Sequence, residues 1–502
     1  MKEWPSFTVA ILSHKRPKLL SRVIGAVSQL DYPMFEIVVV GDQPDIDSYD
    51  LPPEVARQIR YRHVAESNIS RSRNVALAIA AGDIVAFCDD DAAPEPNWLR
   101  ALAEAFRRPK VAAAAGTVLT ADGITVEWEG RIFNSAGREW PIERPQRGIR
   151  IADPYTQTTD NRYLGLIGVN SAFRRIAALQ AGGFDEAYIY FLEETDMAIR
   201  LARSGWSAAL VPGAVVHHLR EQNATRTATQ IPRDLYQVAA SKAHFCRRHM
   251  PEKDVAAEIS RYREARCRGL DPYIRLGVLR KEGLRKLTNQ INRGLREGAE
   301  RSTNVPLTPS ISPPEFSRFH RPGASPPLRI ALVSGWGALR TSRIRRMARH
   351  LSQAGHIVSL FSYTSGIRPA RVTFSDGLWL HRGGTWRANQ WTKAGRPIIR
   401  RLSRSLAEIT RVAEHRNFDV VLRTGVIPED LQEFATDLSM ASKIPDLFAV
   451  TVSGEAELPA SVRRQLIAAL RSGQGPDAER QDNARSPGNE PPVSANASVG
   501  YS

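Results

Sequence analysis

Residues 84–96 read IVAFCDDDAAPEP: five apolar residues, three consecutive aspartates (Asp89, Asp90 and Asp91), then two alanines and two prolines flanking Glu95. Adjacent like charges repel by about 1 kcal/mol in water and several times more where the dielectric falls. Either a cation offsets such a cluster or it is a solvated acidic loop. The preceding segment, ISRSRNVALAIAA (69–81), has helical spacing, and Gly82 stops it. The apolar run 84–88 then reads as a strand, with the aspartates at its C-terminal end. In open α/β sheets that edge binds ligands.

The chain start supports the same architecture. FTVAIL (7–12) and EIVVVG (36–41) are short β-branched runs. Between them Leu19, Leu20, Val23, Val27 and Leu30 recur at helical spacing. Strand–helix–strand order implies a parallel sheet.

The 502 residues leave room for several domains, and 42% hydrophobic with 24% charged residues is a globular composition. Three cysteines, Cys88, Cys246 and Cys267, have neither disulfide nor metal spacing, which points to a reducing compartment. The N-terminus lacks the pattern of a signal peptide, and no apolar run reaches the roughly 18 residues of a membrane span. The Asn223-Ala-Thr225 sequon is set aside for that reason. A net charge of +16 favours an anionic partner. The basic residues lack the interleaved aromatics of a nucleic-acid site, which argues against that class.

Composition divides the chain. Residues 1–250 read as a catalytic unit. Residues 251–301 read as a basic helical extension, with thirteen Lys/Arg against eight Asp/Glu over 252–301. Residues 302–327 are rich in Pro and Ser and read as a linker. A second strand–helix–strand pattern begins at LRIALVSG (328–335), giving a smaller Rossmann-like unit over 328–470. The tail 471–502 has almost no large apolar residues and reads as disordered.

Three groups carry candidate chemistry. Asp89 and Asp91, spaced i and i+2, would share one face of an extended segment. Hard oxygen donors of this kind suit Mg²⁺ or Mn²⁺. Glu193, Glu194 and Asp196 open an amphipathic helix, where they either complement its dipole or supply a general base. His217 and His218 end the segment ALVPGAVVHHL, and either imidazole could bind a metal.

In this order, VAILSHKRPKLLSRVIGAVSQLDYPMFEIVVVGD, NISRSRNVALAIAAGDIVAFCDDDAAPEPNWLRAL, GVNSAFRRIAALQAGGFDEAYIYFLEETDMAIRLARSGW and PGAVVHHL resemble the family 2 glycosyltransferases over residues 7–220. These are inverting enzymes of GT-A fold. The resemblance implies that Ser13, before the first helix, and Asp42 border the base and ribose of a nucleotide sugar. It implies that Arg73 approaches the diphosphate and that Asp89 and Asp91, with Asp90 between them, form the metal-binding DxD motif. Gly168 and Asn170 would lie beside the donor sugar. Glu194 would be the catalytic base, with Glu193 and Asp196 flanking it, and His218 would be the metal-binding histidine, with His217 the fallback. The family often has two acids where Gly41-Asp42 stands, and more often Asp where Glu194 stands. Residues 328–470 resemble the N-terminal half of a GT-B glycosyltransferase.

The expectation is an inverting, divalent-cation-dependent glycosyltransferase. It would use a nucleotide-sugar donor and a glycan or lipid-linked acceptor, and would serve cell-surface polysaccharide synthesis. Its expected place is the cytoplasm, with a possible peripheral contact of 252–301 with an anionic membrane. The alternatives are an inactive sugar-nucleotide-binding scaffold and a basic nucleic-acid-binding protein.

Overall fold

The strand Phe7–Ser13 (β1) and the strand Phe35–Gly41 (β2) are buried along almost their whole length, as expected of parallel strands covered on both faces. The helix Pro17–Val27 (α1) joins them. Pro17 starts it, where a missing N–H costs nothing, and Leu20, Val23, Ile24 and Val27 form its buried stripe. The strands Ile59–His63 (β3), Ile84–Asp89 (β4), Ala92–Pro94 (β5) and Val111–Thr120 (β6) follow. With Ser171–Arg174 and Ser207–His218 they form one mixed sheet. Its order is β3, β2, β1, β4, 171–174, β6, 207–218, β5. β1 pairs in parallel with β2 and β4, so their C-terminal ends share one edge.

This computed structural model describes residues 4–123, 125–142, 161–221, 225–227, 231–302, 312–323, 327–334, 338–362, 371–382, 386–391, 397–399, 418, 420–424, 441–444 and 448–452. The tail 471–502, residue 223 of the sequon and much of the 302–327 stretch lie outside the described residues.

A large core lies on both faces of the sheet, with Phe87, Phe173 and Phe184 in mutual edge contact at ring distances of 5.5–6.0 Å. Burying one such ring contributes about 1.5–3 kcal/mol. The helices Tyr236–His249, Glu252–Arg268 and Lys281–Glu300 pack as a layer on this unit.

Part of the stretch read as a linker docks on this first sheet unit. Phe319 is buried against Phe35, and its N–H donates to the Phe35 carbonyl at 2.7 Å. Arg321 donates to the carbonyls of Ser28 and Leu30. The buried carboxylate of Glu36 accepts from the Ser317 N–H. One aromatic ring among prolines and serines suffices to seat the segment.

The C-terminal unit has a parallel centre, with Arg329–Ser334 between Ile357–Ser362 and Val420–Thr424. Its edge hairpin, Arg371–Ser375 and Leu378–Arg382, turns at Asp376 and Gly377. Their φ values of 55° and 73° fit the type I′ turn that Asp-Gly favours. This hairpin lies against α1 and β5: Ala26, Ala93, Val372, Phe374 and Trp379 form one buried cluster. A Cβ on Gly25 would stand 2.8 Å from Phe374 Cε1, so that helix position admits no side chain without repacking.

Candidate active site

β4 ends at Asp89, and residues 90–91 turn before β5 begins at Ala92. The aspartates therefore do not share a strand face as their i, i+2 spacing suggested. The turn brings two of them together and sends the third elsewhere. Asp89 and Asp91 offer carboxylate oxygens, and His218 a ring nitrogen, all within 4.8 Å of one another. Asp90 is buried, accepts from Ser13 Oγ at 2.8 Å and pairs with Arg16 at 2.6 Å.

His218 reaches the cluster because the strand Ser207–His218 runs antiparallel to β5, with His218 opposite Ala92. Strand alternation separates the two histidines. His217 Nε2 meets the buried Glu95 carboxylate at 2.6 Å. His218 Nε2 lies 3.3 Å from Asp91, while its Nδ1 lies 2.9 Å from Glu127. A carboxylate behind a ring nitrogen fixes the tautomer and aims the other nitrogen at a metal. Two carboxylates plus a backed imidazole is a donor set that suits a divalent cation, and Mn²⁺ accepts imidazole more readily than Mg²⁺ does.

In the chain as it stands, cations compensate the aspartates. Burial alone would raise the Asp91 pKa, but His218, Arg16 and Arg226 hold it well below the usual carboxylate range. Burial would lower His218, yet Asp91 and Glu127 raise it to about 9. Burial dominates at Asp90, which reaches about 7 despite Arg16. Burial and the charge of Asp91 raise Asp89.

The acidic pair opens the helix Glu193–Arg203. Phe191 and Leu192 precede it with φ of 79° and 72°. Two successive non-glycine residues in the left-handed region cost about 1–3 kcal/mol each, and such strain clusters at functional sites. Glu193 is buried, and its Oε1 lies 3.5 Å from Arg73 Nη2. Arg73 is wholly buried, with its guanidinium 4.7 Å from the Phe87 ring centre. Gly168 covers this pair: a Cβ there would stand 2.7 Å from Arg73 Nη2. Burial, then the charge of Glu193, raises the half-buried Glu194 well above the ordinary range, with Arg73 opposing. The Arg73 charge also acts on Asp89, so one buried cation serves both acidic groups.

Asp42, just beyond β2, accepts from the Lys15 N–H at 3.0 Å and lies at the same sheet edge as Ser13. The structure thus gathers Ser13, Asp42, Arg73, Asp89, Asp90, Asp91, Gly168, Glu193, Glu194 and His218 around that edge.

Asn170 and Asp196 are held by buried partners. Asn170 is wholly buried, donates to the carbonyls of Thr117 and Ala214 and accepts from the Trp98 indole N–H. Asp196 is buried on another side of its helix, against Arg200, Arg248 and His249. Arg73 also departs from expectation, since it is buried against Glu193 rather than exposed toward a diphosphate.

Arg16, Glu127 and Arg226 escaped the sequence reading. Arg16 had a usable signal, since it follows a strand end and precedes a helix-starting proline. Glu127 and Arg226 reach the cluster only through tertiary pairing.

Residues 8–178 match the family model described as Glycosyl transferase family 2. The chain is 27% identical over 186 residues to the glucosyl-dolichyl phosphate glucuronosyltransferase of Haloferax volcanii, covering 36% of this chain and 55% of that protein. It is 30% identical over 116 residues to the succinoglycan biosynthesis protein ExoM of Rhizobium meliloti, covering 22% and 38%. The chain therefore spans about half, or less, of the length of these relatives. A solved mannosyltransferase from Pyrobaculum calidifontis in complex with GDP-Man and Mn²⁺ is similar over 60% of this chain and 87% of that one. At 16% identity and a TM-score of 0.33, that likeness is too loose to carry an argument.

Proposed function

With residues 8–178 matched to glycosyl transferase family 2 and folded as a GT-A sheet, we propose that this chain transfers a sugar from a nucleotide-diphosphate donor to an acceptor hydroxyl with inversion. The observation that carries this reading is the shared edge. The Asp89–Asp91–His218 cluster and the Glu193–Glu194 pair both lie within the field of one buried cation, Arg73.

A divalent cation held by Asp89, Asp91 and His218 would offset negative charge on the donor diphosphate. Ser13 and Asp42 stand at the strand ends where the nucleoside would lie. Arg73 acts as a positioning residue: it fixes Glu193, and Glu193 in turn keeps the Glu194 pKa high. Glu194, as carboxylate, accepts the proton of the acceptor hydroxyl while that oxygen attacks the anomeric carbon. The bond to the diphosphate breaks in the same displacement, and the nucleotide diphosphate leaves. A base with a raised pKa holds the accepted proton more strongly than an ordinary carboxylate would.

The names of the relatives support an acceptor class. One is named for transfer to a dolichyl-phosphate-linked sugar and one for succinoglycan synthesis. A glycan or lipid-linked glycan acceptor fits both names. The test is turnover of a panel of nucleotide sugars with Mn²⁺ and with EDTA, in the native chain and in Asp91→Asn. Metal-dependent consumption of one donor, lost in Asp91→Asn, supports the proposal. Turnover unaffected by EDTA, or no turnover of any donor, overturns it.

A further inference from the structure

The tip between the helices Glu252–Arg268 and Lys281–Glu300 carries an exposed apolar triplet. Ile274, Leu276 and Val278 are 37%, 68% and 51% exposed, whereas most large apolar side chains of the described residues are covered. The tip is ordered by its own hydrogen bonds. The Leu276 N–H donates to Pro272, Gly277 to Ile274, and both Val278 and Leu279 to Tyr273. Gly277, with φ of 70°, makes the turn that sets Leu276 and Val278 either side of it.

Leu270, Leu279 and Leu287 form a buried cluster beneath, so the same segment has an inward and an outward apolar set. Among the described residues the outward set is left exposed. Around it lie exposed cations: Arg268, Arg275, Arg280, Lys281, Arg285 and Lys286, against only Asp271 and Glu282 over residues 268–286.

We propose that this tip docks on an anionic lipid surface. Ile274, Leu276 and Val278 enter the headgroup–acyl boundary, and the cations around them pair with lipid phosphates and carboxylates. Charge complementarity selects this occupant. Exposed long basic side chains flanking an exposed apolar triplet along the chain suit a fluid anionic plane. A protein partner would instead be met by a broader apolar patch with fewer charges at its centre. Among the described residues no helix is long and apolar enough to cross a membrane, so this contact is peripheral.

The helix leading to the tip also touches the segment that precedes the acidic pair. Arg266, at the end of the helix leading to the tip, sits 6.0 Å from the ring centre of Phe191, two residues before Glu193. The docking stands without the glycosyl-transfer reading, and its test uses no sugar.

Sedimentation of the full chain with vesicles of phosphatidylcholine, alone or mixed with phosphatidylserine, provides that test. Binding should require phosphatidylserine and fall as salt rises, because the Debye length shrinks from about 10 Å at 0.1 M to about 3 Å at 1 M. The double variant Leu276→Ser, Val278→Ser should bind mixed vesicles at least about tenfold more weakly, since it loses two aliphatic insertions. Its thermal midpoint should stay unchanged, because both side chains are largely exposed. Equal binding to neutral and mixed vesicles, or native-like binding by the double variant, overturns the proposal. Absence of vesicle binding together with self-association that Leu276→Ser abolishes also overturns it, and assigns the tip to a second copy of the chain.

Discussion

Trp379 of the C-terminal unit places its ring 5.7 Å from the imidazole of His217, the residue next to the candidate metal ligand His218. Trp379 is wholly buried, and it shares a cluster with Ala93, the β5 residue that pairs with His217. The link is doubled nearby. Glu221 donates its backbone N–H to Asp91, while its carboxylate approaches Arg22 and Arg371. The C-terminal unit thus braces the strand edge that bears the candidate metal ligands.

Trp379→Ala should therefore destabilise the protein by about 3–5 kcal/mol, the usual cost of deleting a buried large aromatic. It should also weaken Mn²⁺ binding, read by calorimetry at a temperature where the variant is still folded. Trp379→Phe should restore most of both. Unchanged Mn²⁺ affinity in a folded Trp379→Ala protein would contradict this bracing role.

Glu194 gives a pH signature. Its folded pKa is raised by burial first and by Glu193 second. The base is lost as pH falls through that raised value. The acid limb of kcat should thus lie above the ordinary glutamate value of about 4.3. The stability sign is opposite. Burial disfavours the charged form, so the group's stabilising contribution is complete below about pH 4.3 and lost as pH rises through the folded pKa. Glu194→Gln should accordingly raise the thermal midpoint at neutral pH and leave it unchanged in acid. A variant less stable than the native chain at neutral pH would contradict the assigned burial.

Asp196 should prove a stability residue with no donor contact. Its carboxyl would be raised by burial, but Arg200, His249 and Arg248 hold it well below the usual range. A depressed acid contributes stability that is present above about pH 3.9 and lost as pH falls below it. Asp196→Asn leaves buried cations uncompensated, a loss of about 3–5 kcal/mol at neutral pH. Donor affinity measured on the folded variant should match the native chain. A large loss of donor affinity without loss of stability would contradict this and give Asp196 a donor-binding role.

The alternation of β-branched runs and helical spacing made the first sheet readable, because strands buried on both faces leave long apolar runs. The aspartate cluster was readable as a ligand edge for the same reason. Its geometry was not, since a two-residue turn at 90–91 is indistinguishable in sequence from a continuing strand. The buried partners of Asp196 and Asn170 were not legible, because helix phase and tertiary pairing decide which way a side chain points, and both turn inward. The docking of Phe319 and Trp379 was hidden because each contact joins residues far apart in the chain, where no local period exists. Arg73 matched a motif position, but its burial against Glu193 depends on Gly168 leaving room, nearly a hundred residues away.

The central claim is that Glu194 is the base at a metal-bearing GT-A site, and comparing Glu194→Gln with Glu193→Gln tests it most directly. Donor dissociation constants and single-turnover transfer rates are measured for both variants with Mn²⁺ present. The account predicts that Glu194→Gln binds donor within a few-fold of the native chain and transfers about 10²–10⁴-fold more slowly, the usual worth of a general base. Glu193→Gln should keep measurable transfer, with its pH profile shifted. Native-like transfer by Glu194→Gln, with Glu193→Gln inactive and folded, would contradict the account and move the base by one residue.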